Sequence, residues 1–237
     1  MPSLSLPLLA AAALSGAVAL QPPGQFHGDE PVARDGETWL ALRASGERAW
    51  LSSTRLRVQA VEDPLLDEAG QTSGRRVTSA LEPDHEAPGN QIVAYLRGSG
   101  LAAGAVLAAR IDRRSEPGAV PAYQLQHGGQ RYQIRTACTP QRSEHASHDC
   151  RILLRGAGGE QTLARMAGRE EGGKVLLGDD ASPALLFAGD IDRDGRLDLI
   201  FDLSDHYNVS RPTLFLSSRA RDGELLHAAS HYESVGC

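Results

Sequence analysis

Residues 122–138, AYQLQHGGQRYQIRTAC, alternate side chains on either side of a Gly-Gly pair. Tyr123, Leu125 and His127 share one face on the way in. Tyr132, Ile134 and Thr136 share one on the way out. A period of two is the period of a strand, not of a helix. Gly128-Gly129 between two such runs signals a tight hairpin, because both turn residues can take positive φ.

The pattern recurs along the chain. ETWLALRASGERAWLSSTRLRVQAV (37–61) alternates around Ser45-Gly46, with Trp39 and Trp50 expected as core anchors. QIVAYLRG (91–98), CRILLRGAGGEQTLARM (150–166), RLDLIFDLS (196–204) and PTLFLSS (212–218) read as further short strands. LAAGAVLAARI (101–111) fits a strand or a helix. No long stretch carries helical periodicity. The expected fold class is all-β or β-dominated: a sandwich or partly closed barrel of short antiparallel strands.

The chain has 237 residues, 41% hydrophobic and 23% charged, a balance that supports a buried core. Its net charge of -6 argues against a nucleic-acid partner, which needs a basic surface. The basic residues are almost all arginine, Lys174 being the one lysine.

Residues 1–19 read as a signal peptide. An apolar stretch from Leu4 to Leu14 runs into Ala17-Val18-Ala19, a cleavable A-x-A pattern, although no Lys or Arg precedes it. The stretch is too short to span a bilayer, and no membrane span is expected in the mature chain. The expected location is secreted or periplasmic. Residues 20–61 then hold a leader and a β-hairpin unit, 62–90 a polar loop or linker, and 91–237 a β-rich domain.

Export permits disulfides. Cys138 and Cys150 bracket a polar loop, and a bond closing it stabilises on the order of 3 kcal/mol. Cys237 is left over. His145 and His148 in the same loop allow a zinc reading, but C-x6-H-x2-H-x-C is no usual zinc spacing.

Chemistry concentrates in GDIDRDGRLDLIFDLSDHYN (189–208). Asp190, Asp192, Asp194 and Asp198 have the form D-x-D-x-D-G-x-x-D. Calcium takes six to eight oxygens at about 2.3–2.6 Å, and alternate aspartates in a curled loop can supply them. Gly195 permits the reversal, the Arg196 carbonyl completes the ring, and Asp198 closes it. Without a cation such carboxylates repel by about 1 kcal/mol per close pair. The competing reading has Arg193 and Arg196 satisfy the loop by salt bridges.

Residues 185–203 resemble the FG-GAP/VCBS-type repeats of integrin-like β-propellers, in which GD-x-D-x-DG-x-x-DL joins two strands. Phe187 and Gly189 before the loop, and Leu197, Leu199 and Ile200 after it, carry the resemblance. It implies a calcium-holding turn between strands. One copy does not make a propeller, which needs several blades. The loop is also similar to EF-hand and dockerin loops, but Phe201 stands where an EF-hand has its bidentate Glu.

Two functional readings follow. The first is an exported binding or envelope-associated module for a protein or carbohydrate ligand, held together by calcium. The second is a secreted hydrolase using Asp202, Asp205 and His206, with Ser204 and His231 in reach. No nucleophile elbow or HExxH helix accompanies those residues. An Asp-His pair is commonly a turn that caps its own backbone.

Overall fold

The Gly128-Gly129 hairpin forms as expected. Both glycines have positive φ, 54° and 75°, and His127 pairs with Gln130 across them. The computed structural model describes residues 16–82, 91–114, 120–141 and 147–236. The apolar stretch at 1–15, His85, His145 and Cys237 lie outside them.

In chain order the strands are β1 (Val18–Gln21), β2 (Gly24–Phe26), β3 (Thr38–Ser45), β4 (Arg48–Val61), β5 (Gly74–Ser79), β6 (Gln91–Gly98) and β7 (Gly104–Ala108). Then follow β8 (Arg110–Arg113), β9 (Tyr123–His127), β10 (Gln130–Pro140), β11 (Ser147–Gly156), β12 (Gly159–Glu171) and β13 (Lys174–Leu177). The last are β14 (Ala184–Asp190), β15 (Asp198–Asp202), β16 (Val209–Ser210), β17 (Pro212–Leu216), β18 (His227–His231) and β19 (Ser234–Val235). A 3-10 turn, Ser217–Arg219, the single one among the described residues, follows β17. No helix among the described residues is long and apolar enough to cross a membrane.

Eleven strands form one antiparallel sheet, whose main path is β1-β6-β3-β4-β7-β14-β15-β17-β18. It curls until β18 lies against β1, a nearly closed barrel. Six more, β13-β12-β11-β10-β9-β8, form a half-barrel. The stretch 101–111 is strand on both sides of Ala109, as β7 and β8.

Two cores result. Trp39, Leu42, Leu51, Tyr95, Leu96 and Phe187 belong to the first, inside the barrel. Leu125, Ile134, Ile152, Leu154, Phe201 and Phe215 belong to the second, under the half-barrel. The strands β15 and β17 serve both. Along β15, Ile200 joins the first core while Leu199 and Phe201 join the second. Leu214 and Phe215 divide in the same way. A strand buried on both faces loses its polar alternation. The apolar run LDLIF is therefore the mark of a shared wall, and not of one buried face.

Several expectations need correction. Trp50 is only half-buried, because Ala49 and Leu51 take the inward positions and turn it outward beside Arg48. The turn of that hairpin is Gly46-Glu47, with Ser45 already paired to Arg48. Residues 62–90, expected as loop or linker, contain β5, which pairs with the far half of β4. The leader and hairpin of 20–61 lie in the same sheet as later strands, since β3 pairs with β6 and β4 with β7.

Cys138 and Cys150 are disulfide-bonded and sit directly opposite each other on β10 and β11. Their thiolates are thus not available to zinc.

The leader is fastened by a partly buried pair. His27 Nδ1 meets Asp63 Oδ2, and the other Asp63 oxygen accepts the Leu65 and Leu66 amides. The hydrogen bond to Asp63 raises the His27 pKa above its ordinary 6.5, and the same bond lowers that of Asp63 below 3.8. His27 therefore stabilises fully below pH 6.5 and loses that contribution as pH rises through its raised value. Asp63 stabilises above pH 3.8 and loses that as pH falls through its lowered value. Asp63→Asn is expected to lower stability between those limits and to flatten its decline on the alkaline side. Thermal unfolding across this range checks it; equal slopes in both proteins would refute it.

Candidate metal centre

The acidic loop joins β14 to β15, which pair antiparallel with Gly189 opposite Asp198. It turns through two left-handed residues, Arg193 at φ 64° and Gly195 at φ 84°. Glycine takes that conformation without strain, and arginine does not. Arg193 is held there by its guanidinium, which donates to the Ala102 carbonyl at 2.9 Å. It does not reach the carboxylates of its own loop.

Asp190, Asp192 and Asp194 each offer one carboxylate oxygen, and these oxygens lie within 4.8 Å of one another. Asp190 is 7% exposed. Its Oδ2 accepts the Gly195 amide at 3.0 Å, while its Oδ1 is buried with no hydrogen-bond partner. Asp192 repeats the arrangement: Oδ2 accepts from Ser218 Oγ, and Oδ1 is buried and unpartnered. Burial raises the Asp192 pKa, and repulsion from Asp194 and Asp190 adds to it. Two orphaned carboxylate oxygens in one crowded, partly buried spot are costly unless a cation completes them. The trio could hold a metal ion.

The other two expected ligands behave differently. Asp198 is fully buried and lies outside the trio. Its Oδ2 accepts the amides of Ile191 at 2.7 Å and Asp192 at 3.4 Å. Its Oδ1 accepts the Ser217 amide at 2.8 Å and the Ser217 hydroxyl at 3.0 Å. Asp198 is thus the staple that fixes the loop to the 3-10 turn. Burial pushes its pKa up to about 7, and repulsion from Asp192 reinforces this against those hydrogen bonds. Arg196 folds its guanidinium onto Asp194, Nη2 lying 2.7 Å from Oδ2. That much of the salt-bridge reading holds, for Asp194 alone.

Ser217 and Ser218 belong to the centre and had no motif to announce them. Ser217 Oγ lies 3.0 Å from Asp194 Oδ2 as well as from Asp198 Oδ1, so its one proton is shared between the two carboxylates, and Ser218 Oγ donates to Asp192. Pairing brings them there: Leu199 lies opposite Phe215, so the residues just past β17 arrive beside Asp198.

Beside the loop lies a cleft of about 200 Å³, bounded by Gly195 and Arg196, by the Gly128 turn and by Glu224 to Leu226. His127 is buried at its edge, and burial lowers its pKa despite Asp190 and Asp194 nearby.

The residues of the hydrolase reading are engaged elsewhere. Asp202 sits at the opposite end of β15 from the loop, where it accepts the amides of Ser204 and Arg211. Asp205 pairs with Arg211 at 3.0 Å, and His206 Nε2 with Asp179 at 3.1 Å. His206 Nδ1 accepts the Asn208 amide. His231 is exposed on β18. These contacts fasten turns. Comparison with family models, curated proteins and solved structures finds no match.

Proposed function

We propose that this chain is an exported, calcium-stabilised β-protein that acts as a binding or envelope-associated module. The observation that carries the calcium reading is the pair of buried, unpartnered oxygens, Asp190 Oδ1 and Asp192 Oδ1, on two members of the carboxylate cluster that Asp194 completes. Carboxylate oxygens in a loop with a left-handed glycine suit a hard cation that tolerates irregular coordination. The resemblance of 185–203 to FG-GAP/VCBS-type loops supports calcium over other oxygen-seeking ions. The metal would be structural, tying the β14–β15 turn to the segment after β17.

Export is supported by the A-x-A pattern and by the disulfide, a bond that persists in oxidising compartments. Cleavage after Ala19 would remove half of β1 yet keep Leu20 and Gln21, its two most buried residues. Gln21 Oε1 there accepts the Val32 and Ala33 amides. Natively expressed protein is therefore expected to begin at Leu20 and to be recovered outside the cytoplasm. N-terminal sequencing that returns Met1 would overturn the export reading. Metal analysis after dialysis against calcium tests the other half: one calcium per chain is expected, and none in Asp190→Ala.

A further inference from the structure

The outward face of the half-barrel carries a pattern that the metal centre does not use. Strand alternation turns Leu125, Ile134 and Ile152 inward, so their neighbours face out. Pairing aligns those neighbours into rows. Arg110 of β8 lies opposite Gln126 of β9, and Gln126 opposite Arg131 of β10. In the next row Asp112, Gln124, Gln133, Arg155 and Glu160 follow one another, an acid at each end. Farther along, Ala137, Arg151 and Arg165 line up, with Arg135 one position before Ala137 on the same face.

Arg135 pairs with Glu160, and Arg165 lies 3.8 Å from Asp149. Arg110, Arg131, Arg151 and Arg155 make no ion pair among the described residues. Arg151 and Arg165 stand directly opposite each other. Like charges so placed destabilise a sheet, and the chain as a whole is acidic, at -6. A cluster of arginines kept on one face of an acidic chain, against the cost of that like-charge pair, fits an anionic partner. Leu153, in its middle, is buried although it points outward. Arg151 and Arg155 flank it along the strand and Arg135 lies across, an arrangement in which arginine stems cover apolar surface.

We propose that this face binds an acidic polysaccharide, its guanidinium groups taking carboxylates and its glutamine amides taking hydroxyls. Guanidinium matches a carboxylate with two parallel hydrogen bonds. Gln124, Gln126 and Gln133 lie between the arginines and offer both donors and acceptors. A nucleic acid would want aromatic side chains on which bases stack, and these rows hold none. A lipid surface would want apolar side chains to insert, and none of the large exposed hydrophobics points from this face. The proposal rests on the binding-module reading and not on calcium.

The test is calorimetric titration of the full chain with hyaluronan oligosaccharide at low ionic strength. Dextran, phosphatidylglycerol vesicles and single-stranded DNA are titrated in parallel. Hyaluronan is expected to bind and dextran not. The double variant Arg151→Gln/Arg155→Gln should weaken binding about tenfold or more while still unfolding in one cooperative transition; its midpoint is set by the loss of cover over Leu153 against relief of the Arg151–Arg165 repulsion. Arg76→Gln, an exposed arginine on β5, should leave affinity unaltered. No hyaluronan binding, equal binding of dextran, tighter binding of vesicles or DNA, or full affinity in the double variant would each overturn the proposal. Titrations are run with calcium and with chelator. Hyaluronan binding in either upholds the proposal, so failure of the calcium reading does not carry over to it.

Discussion

Replacing Asp198 by alanine is expected to destabilise the protein by about 3–5 kcal/mol. The carboxylate accepts the amides of Ile191 and Ser217 and the Ser217 hydroxyl, all with little access to water. Removing it leaves the Ile191 and Ser217 amides buried without an acceptor, at about 1–3 kcal/mol each before relaxation, while the Ser217 hydroxyl can still turn to Asp194. It also leaves the 3-10 turn tied to the loop only through the Ser217 and Ser218 hydroxyls, so the effect reaches the wall shared by both cores. Asp198→Asn should lose somewhat less, since one amide oxygen still accepts while the new NH₂ group faces donors. Urea unfolding of the three proteins measures this. A loss below about 1 kcal/mol for the alanine variant would mean that the staple carries no weight.

Calcium at about 100 times its Kd is expected to add about 2.7 kcal/mol to wild-type stability. For a chain of this size that is a rise of about 5–11 °C in thermal midpoint. Asp192→Ala should abolish most of the rise, because it deletes one of the two unpartnered oxygens. Asp205→Ala should keep the rise in full, since that side chain pairs with Arg211 away from the loop. A variant-independent rise would place the ion elsewhere.

Much of the architecture was legible where one residue decides between faces. Gly128-Gly129 announced its hairpin because only that turn suits two left-handed residues between alternating runs. The aspartates of 190–194 were legible for a similar reason, their spacing being local. What escaped depended on pairing between distant segments. Gly74–Ser79 carries a single large apolar residue, Val77, and becomes a strand because β4 runs on past its first partner to meet it. The run after Asp198 reads as a short strand, and nothing local tells that its second core is supplied by β9 to β12. Asp198 passed for a ligand on spacing alone, but register sets it opposite Gly189 and under the Ser217 turn. Ser217 and Ser218 carry no signature, and only the β15–β17 pairing brings them to the carboxylates.

Titration of calcium into chelator-stripped protein decides whether the acidic loop is a cation site. Without a position-12 Glu the site should fall in the weaker range, about 10⁻⁵–10⁻³ M, with one ion per chain. The expected result is a one-site isotherm in that range for wild type and none for Asp192→Ala. No heat of binding at millimolar calcium, with a midpoint that chelator leaves unmoved, would contradict the claim and make the loop a solvated turn.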